Sequence, residues 1–172
     1  MESKKENFYL FLDIDGVLWD WKWRLSEIKQ GRIRKGSFIT EFNPESIDAL
    51  NHLINYINGD YDCNLVISSS WRNFMTKTIS TLKKNKLILP KIVDRTELSI
   101  RNNYRGEEII NYLKGKEDNN NYVIIDDDMH DFKKYFKPSR IIKTNIYDES
   151  LRHHHILDYI KSRENSIDKD IK

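Results

Sequence analysis

Phe8-Tyr9-Leu10-Phe11-Leu12-Asp13-Ile14-Asp15-Gly16-Val17-Leu18 is an apolar run that ends at two carboxylates and a glycine. Its aromatic and branched side chains predict a central strand covered on both faces, and in open α/β sheets ligands collect where such strands end. Asp13 and Asp15 stand at i and i+2 of an extended chain, so they point the same way and can share one ion or divide one reaction. Gly16 lets the backbone turn closely past a bound group. Alone, Asp-x-Asp-Gly also fits a calcium loop, a sugar-nucleotide transferase or a solvated turn.

Two later stretches narrow the choice. Asn64-Leu65-Val66-Ile67-Ser68-Ser69-Ser70-Trp71-Arg72 reads as a second apolar strand, ending in hydroxyls, and Tyr122-Val123-Ile124-Ile125-Asp126-Asp127-Asp128-Met129-His130-Asp131 as a third, ending in acids. Like charges stacked at the end of a buried strand are costly unless a cation neutralises them, so the late acids imply a metal. An oxygen-rich site of this kind puts His130 beside the ion or at the surface rather than on the ion. The serines can cap the next helix, but one would suffice for that, and the cluster favours phosphate binding.

Taken in this order, the three strand ends resemble the haloacid dehalogenase-like (HAD) superfamily: its first motif in Asp13 to Val17, its second in the strand ending at Ser69, its fourth in Asp126-Asp127 followed by Asp131. More narrowly, Asp-Ile-Asp-Gly-Val-Leu, Ser-Ser-Trp-Arg, Arg-Gly-Glu-Glu-Ile and Ile-Asp-Asp-Asp resemble small HAD domains, including those attached to RNA-repair proteins, over roughly residues 8–135. The resemblance implies a magnesium-dependent phosphohydrolase. Asp13 would be the nucleophile that forms an aspartyl-phosphate, and Asp15 the acid and then the base. Ser69 and Arg105 would stabilise charge on the phosphoryl oxygens. Mg2+ would be held by Asp13, the Asp15 main-chain carbonyl and Asp127, with Asp126 and Asp131 in support. Where the family usually has a lysine in its third motif, this chain offers Arg105, at the start of a helix, or Arg101. Gly16, Ser70, Trp71 and Arg72 complete the substrate-binding set; Trp71 and Arg72 also suit bracing of the serine turn.

At 172 residues the chain allows one domain with a real core. The fold expected is a single Rossmann-like three-layer α/β domain with a mostly parallel sheet, over residues 1–160, carrying a minimal flap at about 17–42 in place of a cap, then a charged, frayed tail at 161–172. Charged residues make 33% of the chain and mean hydropathy is −0.72, so the core depends on a few strong apolar strands. Net charge of +2 is too mild to identify a nucleic-acid binder. Local charge says more: Lys22, Arg24, Lys29, Arg32, Arg34 and Lys35 face only Glu27 in the segment after the first motif. With Trp19, Trp21, Trp23 and Trp71 as stacking or packing faces, they suggest a terminal phosphate on a nucleic acid or nucleotide as substrate. A small phosphorylated metabolite, or a catalytically inactive module that binds phosphate or nucleic acid, are the alternatives. Cys63 is the one cysteine, which excludes an internal disulfide and fits a reducing, cytoplasmic setting; no apolar run is long enough to span a membrane.

Chain order excludes two other users of paired acids. A response-regulator receiver puts its phosphorylated Asp on a middle strand, which here ends in serines; a Toprim nuclease places Glu first and Asp-x-Asp later. Elsewhere, residues 17–42 lack a period and suggest a hairpin or flap. Asn43-Pro44-Glu45 is a helix start, followed by Ile47, Leu50, Leu53, Ile54 and Ile57 at helical spacing. Residues 74–84 read as a helix, 87–93 as a short strand broken by Pro90, 94–104 as irregular, 141–144 as a last strand and 149–160 as a last helix. His153, His154 and His155 are consecutive and are expected to point apart on the surface.

Overall fold

A computed structural model describes residues 4–99 and 104–167. Its centre is β1 (Asn7–Leu12), which pairs in parallel with β2 (Asp62–Ile67) on one side and β4 (Tyr122–Asp126) on the other. With β3 (Ile92–Arg95) and β5 (Ile141–Lys143) at the edges, the order is β3-β2-β1-β4-β5. All four pairings are parallel, as the near-continuous apolar runs require. The order reverses at β1, and the crevice beyond β1 and β4 is the topological switch point where such sheets bind ligands.

The alternation of β1 builds the layers. Phe8, Leu10 and Leu12 enter one core with Leu50 and Leu53 of α2 (Pro44–Asp60) and Ile156 of α5 (His153–Ile167). Tyr9 and Phe11 enter the opposite core with Ile109 and Leu113 of α4 (Arg105–Leu113) and with Phe132. Asn43 caps α2 by accepting from the Glu45 N–H, Pro44 is the first helical residue, and all five expected apolar positions are buried. A five-residue 3₁₀ turn (Ser70–Phe74) leads into α3 (Met75–Lys84).

Three expectations are corrected. Residues 17–42 hold a helix, α1 (Trp21–Lys29), and a following loop rather than a hairpin. Its signal is not a stripe of apolar residues: Asp20 caps it through the Trp23 N–H at 2.7 Å, and its one buried residue is Arg24. The third strand lies later than the apolar run around Pro90, because the edge of β2 pairs with residues 92–95. The last helix begins at His153 and continues past Lys161 to Ile167, with Arg163 seated 4.7 Å from the Phe8 ring centroid, so residues 161–167 are helix rather than tail. No helix among the described residues is long and apolar enough to cross a membrane.

Candidate active site

The backbone ladder runs one residue past the strands and sets the position of each residue at their ends. The Asp13 N–H donates to the Ile125 carbonyl at 2.9 Å, the Ser68 N–H to Leu12 at 3.0 Å and the Thr96 N–H to Ile67 at 3.1 Å. Asp13 therefore emerges beside Asp126, the last residue of β4. Oxygens of Asp13, Asp126 and Asp127 lie within 4.8 Å of one another. Asp13 is buried and Asp126 fully so. Burial first, and then the Asp126 charge, push the Asp13 carboxyl up to about 8 against the opposing pull of Arg105; burial and Asp126 likewise raise Asp127 to about 6. Such a site favours a cation.

Arg105 supplies the one already present. From the first turn of α4 its Nη1 donates to Asp13 at 2.5 Å and to Asp126 at 3.0 Å. Asp131 holds this turn by accepting the Gly106 N–H at 2.6 Å and the Glu107 N–H at 3.3 Å. Asp131 thus caps the helix that carries the arginine, and does not join the acidic cluster. Gly106 is needed for that approach, since a Cβ there would lie 2.8 Å from the Asp131 carboxylate. Asp128 is exposed and turns its carboxylate to the Met129 N–H, while His130 Nε2 rests 3.3 Å from Asp126. The alternative cation, Arg101, lies outside the described residues.

Asp15 is treated differently from Asp13. Two indoles hold its carboxylate: Trp19 Nε1–H donates at 2.9 Å and Trp71 Nε1–H at 3.1 and 3.2 Å. The two indole N–H groups hold the Asp15 side chain in one rotamer. Gly16, at φ +76°, turns the chain just after Asp15, and a Cβ on it would fall 2.5 Å from Asp127 Cγ. Its carbonyl accepts from Thr144 Oγ1 at 2.8 Å, so the residue just past β5 also steadies the turn.

Among the hydroxyls, Ser69 is buried and its Oγ accepts the Trp71 N–H at 3.4 Å; Ser70 is exposed and lines a cleft with Asp15. Arg72 does not line that cleft. It is buried against Glu108, with Nη1 and Nη2 donating at 2.7 and 3.0 Å, and also reaches the Ser68 carbonyl and Thr96 Oγ1. The expected substrate contact by Arg72 gives way to bracing, because the guanidinium's hydrogen bonds in that direction are with protein.

Part of the basic run after the first motif is engaged by protein groups. Arg24 is buried, donating to the Ser37 carbonyl at 2.8 Å; Arg32 pairs with Glu27 at 2.6 Å and Lys22 with Asp148 at 3.1 Å. Trp19 and Trp71 serve Asp15 with their N–H groups, a role the sequence did not signal beyond the i, i+4 spacing of Asp15 and Trp19. The three histidines do not simply point apart: the rings of His154 and His155 lie 4.1 Å apart, and with Glu149 they form a second group of potential ligands within 4.8 Å. There His155 Nδ1 accepts the Arg152 N–H at 3.1 Å, which leaves the proton on the nitrogen nearer Glu149 and makes it a donor.

A parallel sheet of order 3-2-1-4-5, with acids from its two central strands meeting at the switch point, defines a Rossmann-like domain of the HAD class. The family model described as HAD domain in Swiss Army Knife RNA repair proteins matches residues 9–156, and the chain belongs to that family. No curated protein and no solved structure matches it.

Proposed function

We propose that the protein is a magnesium-dependent phosphohydrolase that works through an aspartyl-phosphate on Asp13 and removes terminal phosphate from a nucleic acid or nucleotide. The observation that carries this reading is the division of labour between the two acids of the first motif. Asp13 is buried with Asp126, Asp127 and Arg105, whereas Asp15 is clamped by two indoles at the mouth of a cleft.

Three carboxylates converging in a buried pocket give the hard, all-oxygen donor set that suits Mg2+. Asp13, Asp127 and Asp126 would hold it, with the Asp15 carbonyl; when bound, it supplies positive charge to the phosphoryl oxygens and relieves the repulsion among the acids. The chain's own groups do the rest. An Asp13 oxygen attacks phosphorus and the bond to the leaving oxygen breaks, while the Asp15 proton passes to that oxygen. Asp15 then takes a proton from water as the water attacks phosphorus, the acyl-phosphate bond breaks and Asp13 is restored. Arg105, already placed between Asp13 and Asp126, and Ser69 meet the charge that spreads over the equatorial oxygens. The family's tie to RNA repair supports a nucleic-acid end as substrate.

The direct test is hydrolysis of an end-phosphorylated oligonucleotide and of a simple phosphomonoester by metal-stripped protein. Activity should be absent in chelator, return with magnesium and not with calcium, whose looser coordination misplaces the reacting oxygens, and magnesium should raise Tm. Full activity in chelator would overturn the metal assignment.

The indole clamp makes its own prediction. Trp19→Phe and Trp71→Phe each remove an N–H donor that positions the Asp15 carboxyl, so each should lower kcat roughly tenfold through misplacement of the acid. KM for a simple ester should stay within about twofold, because neither indole is assigned to the phosphate. A change confined to KM would show that the tryptophans bind substrate instead.

A further inference from the structure

The cleft that opens at Asp15 continues over a surface for which the hydrolysis itself has no use. It encloses about 540 Å³, within the range of ligand sites. Its walls come from the loop after α1, through Phe38, from the turn leading into α3, through Ser70, Asn73 and Phe74, and from the first turn of α3, through Lys77. Phe38 is 85% exposed and Phe74 68%. A single exposed ring is ordinary, but two that line one cleft ending at a catalytic acid form a patch with a purpose. Lys77 is the basic residue of this lining, and its Nζ lies 5.6 Å from the Phe38 ring centroid.

Direction follows from the acid. Asp15 hands its proton to the leaving oxygen, so the group bearing that oxygen extends from Asp15 into this cleft, away from Asp126 and Asp127. We propose that the cleft is a leaving-group subsite for the terminal nucleoside of a single-stranded nucleic acid, with its base against Phe74 and Phe38 and the adjoining phosphodiester at Lys77. The proposal rests on the phosphohydrolase reading above and gives its substrate a place. Ser37, Ser70 and Thr78 also line the cleft, but the two exposed phenyl rings with the Lys77 ammonium and the Asn73 amide suit a flat base followed by an anion. None of the basic residues of 22–35 lines this cleft.

The test compares three substrates, ribose 5-phosphate, a single-stranded oligonucleotide with a terminal phosphate, and the same end held flush in a duplex. Phe74→Ala and Phe38→Ala should each lower kcat/KM for the single strand by about 5- to 150-fold and leave ribose 5-phosphate unchanged. Lys77→Gln should lower it too and reduce the slope of log kcat/KM against log salt by roughly 0.7, the share of one phosphate contact. Wild type should prefer the single strand to the flush duplex. Equal falls on ribose 5-phosphate and oligonucleotide, no fall on either, or indifference to strandedness would overturn the subsite. Anisotropy of a labelled single strand bound to the Asp13→Asn protein, with and without Phe74→Ala, is read in parallel. If wild type hydrolyses none of the three while Phe74→Ala still weakens binding by that factor, the subsite stands and the hydrolase reading falls. If hydrolysis is robust but the phenylalanine variants are silent in both assays, the reverse holds.

Discussion

Asp13→Asn is expected to lower kcat by roughly 10⁴-fold or more while leaving the protein folded, and in chelator more stable than wild type. The catalytic part follows from chemistry: an amide oxygen does not form the acyl-phosphate, so the covalent route through residue 13 is closed. The stability part follows from geometry. Asp13 sits with Asp126 in a buried site, and burial with the Asp126 charge raises its carboxyl to about 8 in spite of Arg105. Asparagine keeps the volume and the oxygen that accepts from Arg105 but carries no charge, which removes the repulsion. Steady-state turnover and a thermal melt in chelator check the two halves. Undiminished hydrolysis by the purified variant would end the covalent mechanism, and a lower Tm would show that the Arg105 contact outweighs the repulsion.

Arg72→Ala should produce the largest loss of stability of any change near the site, about 3–5 kcal/mol, because it leaves the Glu108 carboxylate buried without its partner. The pair ties the serine turn to α4, three residues from Arg105, and Glu108 also accepts the Ser99 N–H at 2.8 Å. Activity should fall with it, as both Ser69 and Arg105 lose their support. Replacing both partners by apolar residues of similar volume, as in Arg72→Met with Glu108→Leu, should recover much of the stability. Urea denaturation measures each variant. If Arg72→Ala is as stable as wild type and loses only affinity for oligonucleotide, Arg72 is a substrate ligand after all.

What the sequence made legible was whatever a strand end announces. β1, β2 and β4 are short apolar runs that stop at chemistry, and their order is enough to bring Asp13, Ser68 and Asp126 to one edge. Helix α2 was legible because cap, proline and apolar stripe agree. Helix α1 was not, since a buried arginine and a capping aspartate hold it and neither leaves a periodic trace. Arg72 stands beside the serines in sequence and so reads as a site residue; its partner Glu108 is 36 positions away, a pairing that tertiary structure alone decides. Asp131 misled for the same reason, lying among acids in sequence while its carboxylate reaches back to the N-terminus of α4. The basic run after the first motif was real, but local pairing within and around α1 turned several of its charges away from the substrate.

The indole clamp has an optical consequence. The chain has four tryptophans; two donate their N–H to the same carboxylate, and a third, Trp21, meets Trp19 edge-on with ring centroids 5.2 Å apart. Indole emission responds to charge and to hydrogen bonding at the ring nitrogen, so much of the protein's intrinsic fluorescence originates within reach of Asp15. Whatever changes the state of that carboxylate changes the emission as well, and each stage of turnover can be followed at the wavelength of the protein itself, with no label attached.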